Sequence, residues 1–182
     1  MKYFVIFAFV FLGISSAQAQ GLTDANIRSF YQKMAELYDQ DSVNEYALLS
    51  FLDIHYDDNI QFRINLEANV FPEPQVMDLG KKQVLELTEQ TADAMLNLKT
   101  SIDIQTIKIE ADGQSAVVDY FMKHDGRARH YSPQGQSVDV DYSSVAGCSE
   151  AIKFSEKGII VVKAQCNMRA QYEHPQINEQ DL

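Results

Sequence analysis

Cysteine and positive charge are both scarce in this sequence. Its 182 residues contain two cysteines and 15 Lys or Arg against 26 Asp or Glu, a formal net charge of −11. Two thiols without a third ligand nearby do not make a metal site, so no metal is expected. An acidic surface of this kind repels phosphate backbones and anionic lipid, which argues against nucleic acid and membrane surfaces as partners. Repeats, low-complexity tracts and inter-domain linkers are missing, as are a phosphate loop and a nucleophile motif. No cofactor is expected. The one long apolar run stands at the start, and no later stretch is apolar enough to cross a bilayer.

That run reads MKYFVIFAFVFLGISSAQAQ. Lys2 supplies a positive start, Tyr3 to Ile14 an uncharged apolar core, and Ser15 to Ala19 small residues ending in Ala17-Gln18-Ala19. This is the order of a secretory signal peptide cut after Ala19. A membrane anchor is the alternative, but about 12 apolar residues fall short of the roughly 20 that span a bilayer. Export puts the mature chain in the periplasm or outside the cell, as in a bacterium. The expected organisation is a signal peptide over 1–19, one domain over 20–173 and a loose tail over 174–182. Cleavage removes Lys2 and makes the chain one unit more negative.

In an oxidising compartment a lone cysteine pair forms a disulfide. Local sequence points the same way. Ser155-Glu156-Lys157-Gly158 reads as a type I turn followed by a glycine bulge, a three-residue hairpin loop in which Ser155 faces Ile159. That register sets Cys148 opposite Cys166, close enough to bridge. It also sorts the side chains by alternation. Ile160, Val162, Ala164, Cys166, Met168 and Ala170 share the inner face of one strand. Val138, Val140, Tyr142, Ala146, Cys148, Ile152 and Phe154 share it on the other. Glu150 breaks the pattern, for it too falls on the inner face, opposite Ala164. A carboxylate there is either a ligand-binding or proton-transferring group with a raised pKa, or is turned outward by a bulge at Gly147 or reaches the sheet end.

Upstream, Thr23 caps a helix with the stripe Ile27, Phe30, Tyr31, Met34, Leu37 and Tyr38. Ser42-Val43-Asn44-Glu45 reads as a capping box opening a second helix through Tyr46, Leu49 and Leu52. Ile60, Phe62, Ile64 and Leu66 alternate as a short strand, and 67–75 is a loop. Asp78 caps a third helix over 79–98, with Val84, Leu87, Thr91 and Met95 inside. Strands follow: 102–110, a turn at Asp112-Gly113, a strand through Tyr131, then the cysteine hairpin. The fold class is α+β, helices layered on a sheet.

The segment KHDGRARHY, 123–131, gathers basic residues in an acidic chain. A loop over 132–136 sets Arg127 opposite Asp141 and Arg129 opposite Asp139 on the outer face, so cross-strand ion pairs account for the arginines. An anion site is the alternative. The same register sets Gly126 opposite Tyr142 and turns His124 and His130 inward.

SFLDIHYDDNIQFRIN, 50–65, followed by DLGKKQVLELTEQTADAML, 78–96, resembles the nuclear transport factor two-like superfamily, which includes SnoaL-like cyclases and ketosteroid isomerase. The resemblance covers most of 22–173. It implies three N-terminal helices packed on a strongly curved, mostly antiparallel sheet, a cystatin-like cone with a pocket inside, often dimerised through the sheet. It carries no function, since the fold hosts enzymes, binders and interaction modules alike. Acids and tyrosine in His55-Tyr56-Asp57-Asp58 recur there as structural features.

Two functions remain. One is a non-catalytic exported module that binds a small hydrophobic ligand or a protein partner through the cone mouth or sheet face. The other is an acid/base isomerase, dehydratase or cyclase acting on a small hydrophobic molecule. There Glu150 or His130 abstracts a proton, and Tyr142 or Tyr172 donates a hydrogen bond to the developing oxyanion. The candidate ligand-binding residues are His124, His130, Tyr142, Glu150 and Tyr172. A buried carboxylate within reach of His or Tyr marks the enzyme; a pocket filled by Met and Phe marks the module.

Overall fold

The computed structural model describes residues 21–42, 44–92, 94–131 and 137–173, without the side chains of 40–42, 130 and 131. The segment read as a signal peptide, the expected 132–136 loop and the expected tail lie outside the described residues.

Helix α1 (Asp24–Tyr38) begins where Thr23 and Asn26 cap each other. The Asn26 N–H donates to Thr23 Oγ1 at 3.2 Å, and the Thr23 N–H to Asn26 Oδ1 at 2.8 Å. The two bonds use donors that a helix start otherwise leaves unpaired. The expected stripe is buried from Ile27 to Leu37.

The start of α2 (Glu45–His55) differs from the expected capping box. Asn44 is its cap, accepting the Ala47 N–H at 3.0 Å. Ser42 belongs instead to a short strand, β1 (Gln40–Ser42). Asn caps as well as Ser does, so the helix can begin two residues later once pairing takes Ser42 into the sheet. The inner face shifts with it: Leu48 and Leu52 are buried, and Tyr46 is 84% exposed.

Strand β2 runs over Tyr56–Ala68, longer than the alternation alone suggested. A strand also occupies β3 (Gln75–Leu79), part of which was expected to be loop and helix cap. Asp78 does not cap a helix. It pairs across the ladder with Arg63, whose Nε and Nη2 donate to its two oxygens at 2.7 and 2.8 Å. Helix α3 (Lys81–Ala92) starts after it, with the Gly80 N–H donating to Gln83 Oε1 at 2.8 Å. It also ends early, because Met95 already belongs to strand β4 (Met95–Ile109).

Strands β5 (Ser115–Tyr131), β6 (Ser137–Ser155) and β7 (Gly158–Glu173) complete one sheet. Among the described residues it has seven strands in the order β1-β4-β5-β6-β7-β2-β3, antiparallel except where β2 runs parallel to β7. Arg127 pairs with Asp141 and Arg129 with Asp139, the expected ladder. Val138, expected inside, is 43% exposed near the start of β6.

The cysteine hairpin reaches its expected register by a different route. Ser155 pairs with Gly158, so the loop is two residues long, one shorter than expected. Gly158 holds φ at +96°, and Ser155 Oγ accepts the Lys157 N–H at 3.1 Å, which tightens the turn. A bulge then shifts the register between Ala151 and Ile152, so that Ala151 pairs with Lys163 and Ile152 with Val161. Beyond it Cys148 lies opposite Cys166, and the two are bridged. Near the turn it is Ile159 and Val161, in place of Ile160 and Val162, that are buried. The bulge absorbs the extra residue and restores the predicted facing from Ala164 onward.

Together these make the expected α+β architecture. The main core joins α1, α2 and Val84 of α3 to the inner sheet face, and a second cluster lies about Leu98, Val140 and Tyr142. No helix among the described residues is long and apolar enough to cross a membrane.

Candidate ligand cavity

The alternation of β6 carries straight through Gly147, which pairs normally with Phe121 and Asn167. No bulge there turns Glu150 outward. Glu150 is 1% exposed and sits between Val118 of β5 and Ala164 of β7. Buried, it must find hydrogen bonds. Tyr31 of α1 donates to Oε2 at 2.7 Å, and Tyr120, two residues along β5 from Val118, donates to Oε1 at 2.8 Å. Burial raises the pKa of the Glu150 carboxyl, and the two tyrosine hydrogen bonds oppose that rise.

Two more tyrosines lie close enough to Glu150 to feel its charge. Tyr38 closes α1 and Tyr56 opens β2. Burial is the main reason that Tyr38 is pushed up to about 12 and Tyr56 well above its ordinary value. Both hydroxyls therefore stay protonated at neutral pH.

Glu150, Tyr38, Tyr56 and Tyr120 line one cavity of about 290 Å³ between the helices and the inner sheet face, and Tyr31 reaches Glu150 from outside that lining. That volume lies just below the usual range for ligand sites, about 300–1,000 Å³. The remaining walls are mostly apolar, among them Met34, Leu52, Val84, Met122 and Met168. Among the described residues, no Lys or Arg lines the cavity.

Of the sequence candidates, Glu150, His124, Tyr142 and Tyr172 meet in this cavity. His124 is 8% exposed, with Nδ1 2.8 Å from Thr100 Oγ1 and its ring edge-on to Tyr38. Burial lowers its pKa to about 4, which keeps the ring neutral. Tyr142 and Tyr172 pack with ring centroids 5.1 Å apart. Asn69 clamps the backbone of Tyr172 from both sides, accepting its N–H and donating to its carbonyl, each at 2.9 Å. The His130 backbone pairs with Val138, and its side chain lies outside the described residues. Tyr31, Tyr38, Tyr56 and Tyr120 were not foreseen as site residues. Their helical stripe and strand positions marked them as core and gave no sign of what their hydroxyls meet.

The other polar motifs serve the fold. His55 Nδ1 donates to the Ile159 carbonyl at 2.7 Å, and Lys81 bridges Asp53 and Asp58 at 3.1 and 2.8 Å. In the basic segment both arginines converge on one acid. Arg129 Nε is 3.2 Å and Arg127 Nη2 3.4 Å from Asp139, although Arg127 sits opposite Asp141 in the ladder.

No family model and no curated protein matches the sequence. Solved structures do match in shape. A conserved protein from Planctomyces limnophilus superposes with a TM-score of 0.55 at 14% identity, over 79% of this chain and 94% of its own. Kfla4162 from Kribbella flavida gives 0.54 at 12% identity, over 79% and 88%. An NTF-2-like protein of unknown function from Silicibacter pomeroyi gives 0.46 at 11% identity, over 81% and 100%. The chain shares the α+β fold of the first two of these proteins. Likeness at these identities shows the fold alone, so function must be argued from the cavity.

Proposed function

We propose that this protein is an exported module that binds one small, largely apolar molecule inside the cone. The observation that carries the reading is the cavity itself: about 290 Å³, apolar walls and a small polar cluster about Glu150. A few polar groups within an apolar enclosure are the usual anatomy of a small-molecule site. The Cys148–Cys166 disulfide is compatible with a secreted or periplasmic location.

The test is a fluorescence titration with the neutral apolar dye N-phenyl-1-naphthylamine. The wild type is expected to enhance it saturably at one site per chain. Met168→Trp, which fills the cavity, is expected to weaken binding at least tenfold. Equal binding by both proteins, or none by the wild type, would refute the reading.

A second reading, acid/base catalysis, is favoured by the pairing of Glu150 with Tyr31 and Tyr120. Here Glu150 accepts a carbon-bound proton from the ligand, and Tyr38 or Tyr56 donates to the developing oxyanion. The expected sign is deuterium uptake at the α-carbons of cyclohexanone by the wild type and not by Glu150→Gln. Equal uptake by the two proteins rules this reading out.

A further inference from the structure

The charge inventory of the cavity is one-sided. Among the described residues that line it, Glu150 is the one acid and His124 the one imidazole, with no Lys or Arg. The fold supplies the carboxylate with two neutral donors, Tyr31 and Tyr120, but with no positive charge. Each carboxylate oxygen takes one tyrosine bond and keeps a second lone pair for another donor.

We infer that the ligand is a small lipophilic amine, bound as its ammonium ion against the Glu150 carboxylate with its hydrocarbon body along the apolar walls. The inference rests on the cavity reading above. An ammonium group brings a positive charge, and so offsets part of the penalty of holding the Glu150 carboxylate away from water. Its N–H groups meet the free lone pairs in charge-assisted hydrogen bonds. The aromatic faces of the surrounding tyrosines add cation–π attraction wherever they meet the charge. Anionic ligands meet the reverse situation, with a second negative charge and no cation to offset it. The protein's net charge of −11 also attracts cations to the cavity mouth and repels anions.

Specificity follows from the same inventory. A neutral alcohol of the same shape loses only the charge term, whereas a carboxylate loses the site altogether. Between pH 5 and 8 the groups facing Glu150 hold their charge. Tyr31, Tyr38, Tyr56, Tyr120 and Tyr142 are raised above 10, and His124 is lowered to about 4. Among the described groups, Glu150 is therefore the one placed to change the amine preference across that window.

Three cages of nearly equal size separate the charge types: 1-adamantylamine, 1-adamantanol and 1-adamantanecarboxylate. Direct calorimetric titration of the full chain needs no dye, so its outcome is independent of the naphthylamine result. At pH 8 the amine is expected to bind at least tenfold tighter than the alcohol, with no binding by the carboxylate. The advantage should shrink at pH 5, where a larger share of Glu150 is protonated than at pH 8. In Glu150→Gln it should vanish while the alcohol still binds. Should that variant fold poorly, the wild-type comparison between the two pH values decides alone. An amine that binds no tighter than the alcohol, or fails to bind, overturns the inference. So does an advantage that survives in Glu150→Gln. Alcohol binding without an amine preference overturns the amine alone and leaves the cavity reading standing.

Discussion

Replacing Cys148 and Cys166 together by alanine is expected to lower the unfolding free energy by about 3 kcal/mol. For a domain of this size that is a fall in Tm of about 6–12 °C. The two residues are 18 apart in sequence and face each other across β6 and β7. In the folded state the ladder already holds them together, so the bridge acts mainly by restricting the unfolded chain. It also ties together the two central strands that carry Glu150 and Ala164, and Cys166 itself lines the cavity. Thermal melts followed by circular dichroism, with and without reductant, read the effect. Melts that coincide would show that the bridge restricts little.

Removing the tyrosine hydroxyls around Glu150 should have an effect of similar size. At pH 7, Tyr31→Phe and Tyr120→Phe should each cost about 1.5–3 kcal/mol, the range for a hydrogen bond to a charged group. The pair should cost more than either. Both rings keep their packing, Tyr31 against Phe30 and Tyr120 at 4.8 Å from Tyr31, so the loss comes from the bonds. In a Glu150→Gln background the costs should shrink, since no charge is left to stabilise.

The pH dependence follows from the sign of the Glu150 shift. Its folded pKa lies above the unfolded value of about 4.3, because burial penalises the charged form. The penalty is therefore absent in acid, grows as pH rises from the unfolded value to the folded one, and is constant above. Tyr31 and Tyr120 oppose it, so the double Phe variant widens the gap and its cost should be larger at pH 7 than at pH 4. Glu150→Gln should gain on the wild type over the same range. Denaturation curves that stay parallel from pH 4 to 8 would show that the carboxyl is not held buried.

The inner face of β6 was legible because a strand with one buried side writes that side into every second residue. Glu150 stood out for the same reason, and the cysteines supplied a second mark for the register. The hairpin loop was misjudged by one residue, and a bulge downstream concealed the error. Two compensating irregularities leave no trace in an alternation count. Strand β3 was hidden because Asp78 before Gly80 and two lysines looks like a helix start. Its real partner, Arg63, lies 15 residues earlier and is invisible to local reading. The cavity was the least legible part. Tyr31 reaches Glu150 across 119 residues of sequence, and periodicity reports which face a tyrosine takes but not what its hydroxyl meets.

The titration of Glu150 itself reports both its burial and the uptake of an apolar ligand beside it. The ¹³C chemical shift of its side-chain carboxyl can be followed against pH, with and without saturating N-phenyl-1-naphthylamine. The midpoint should lie above that of an ordinary glutamate. It should rise further with the dye, since a neutral occupant displaces water and deepens the penalty on the charged form. An ordinary midpoint that the dye leaves unmoved would contradict both the burial and the place of binding.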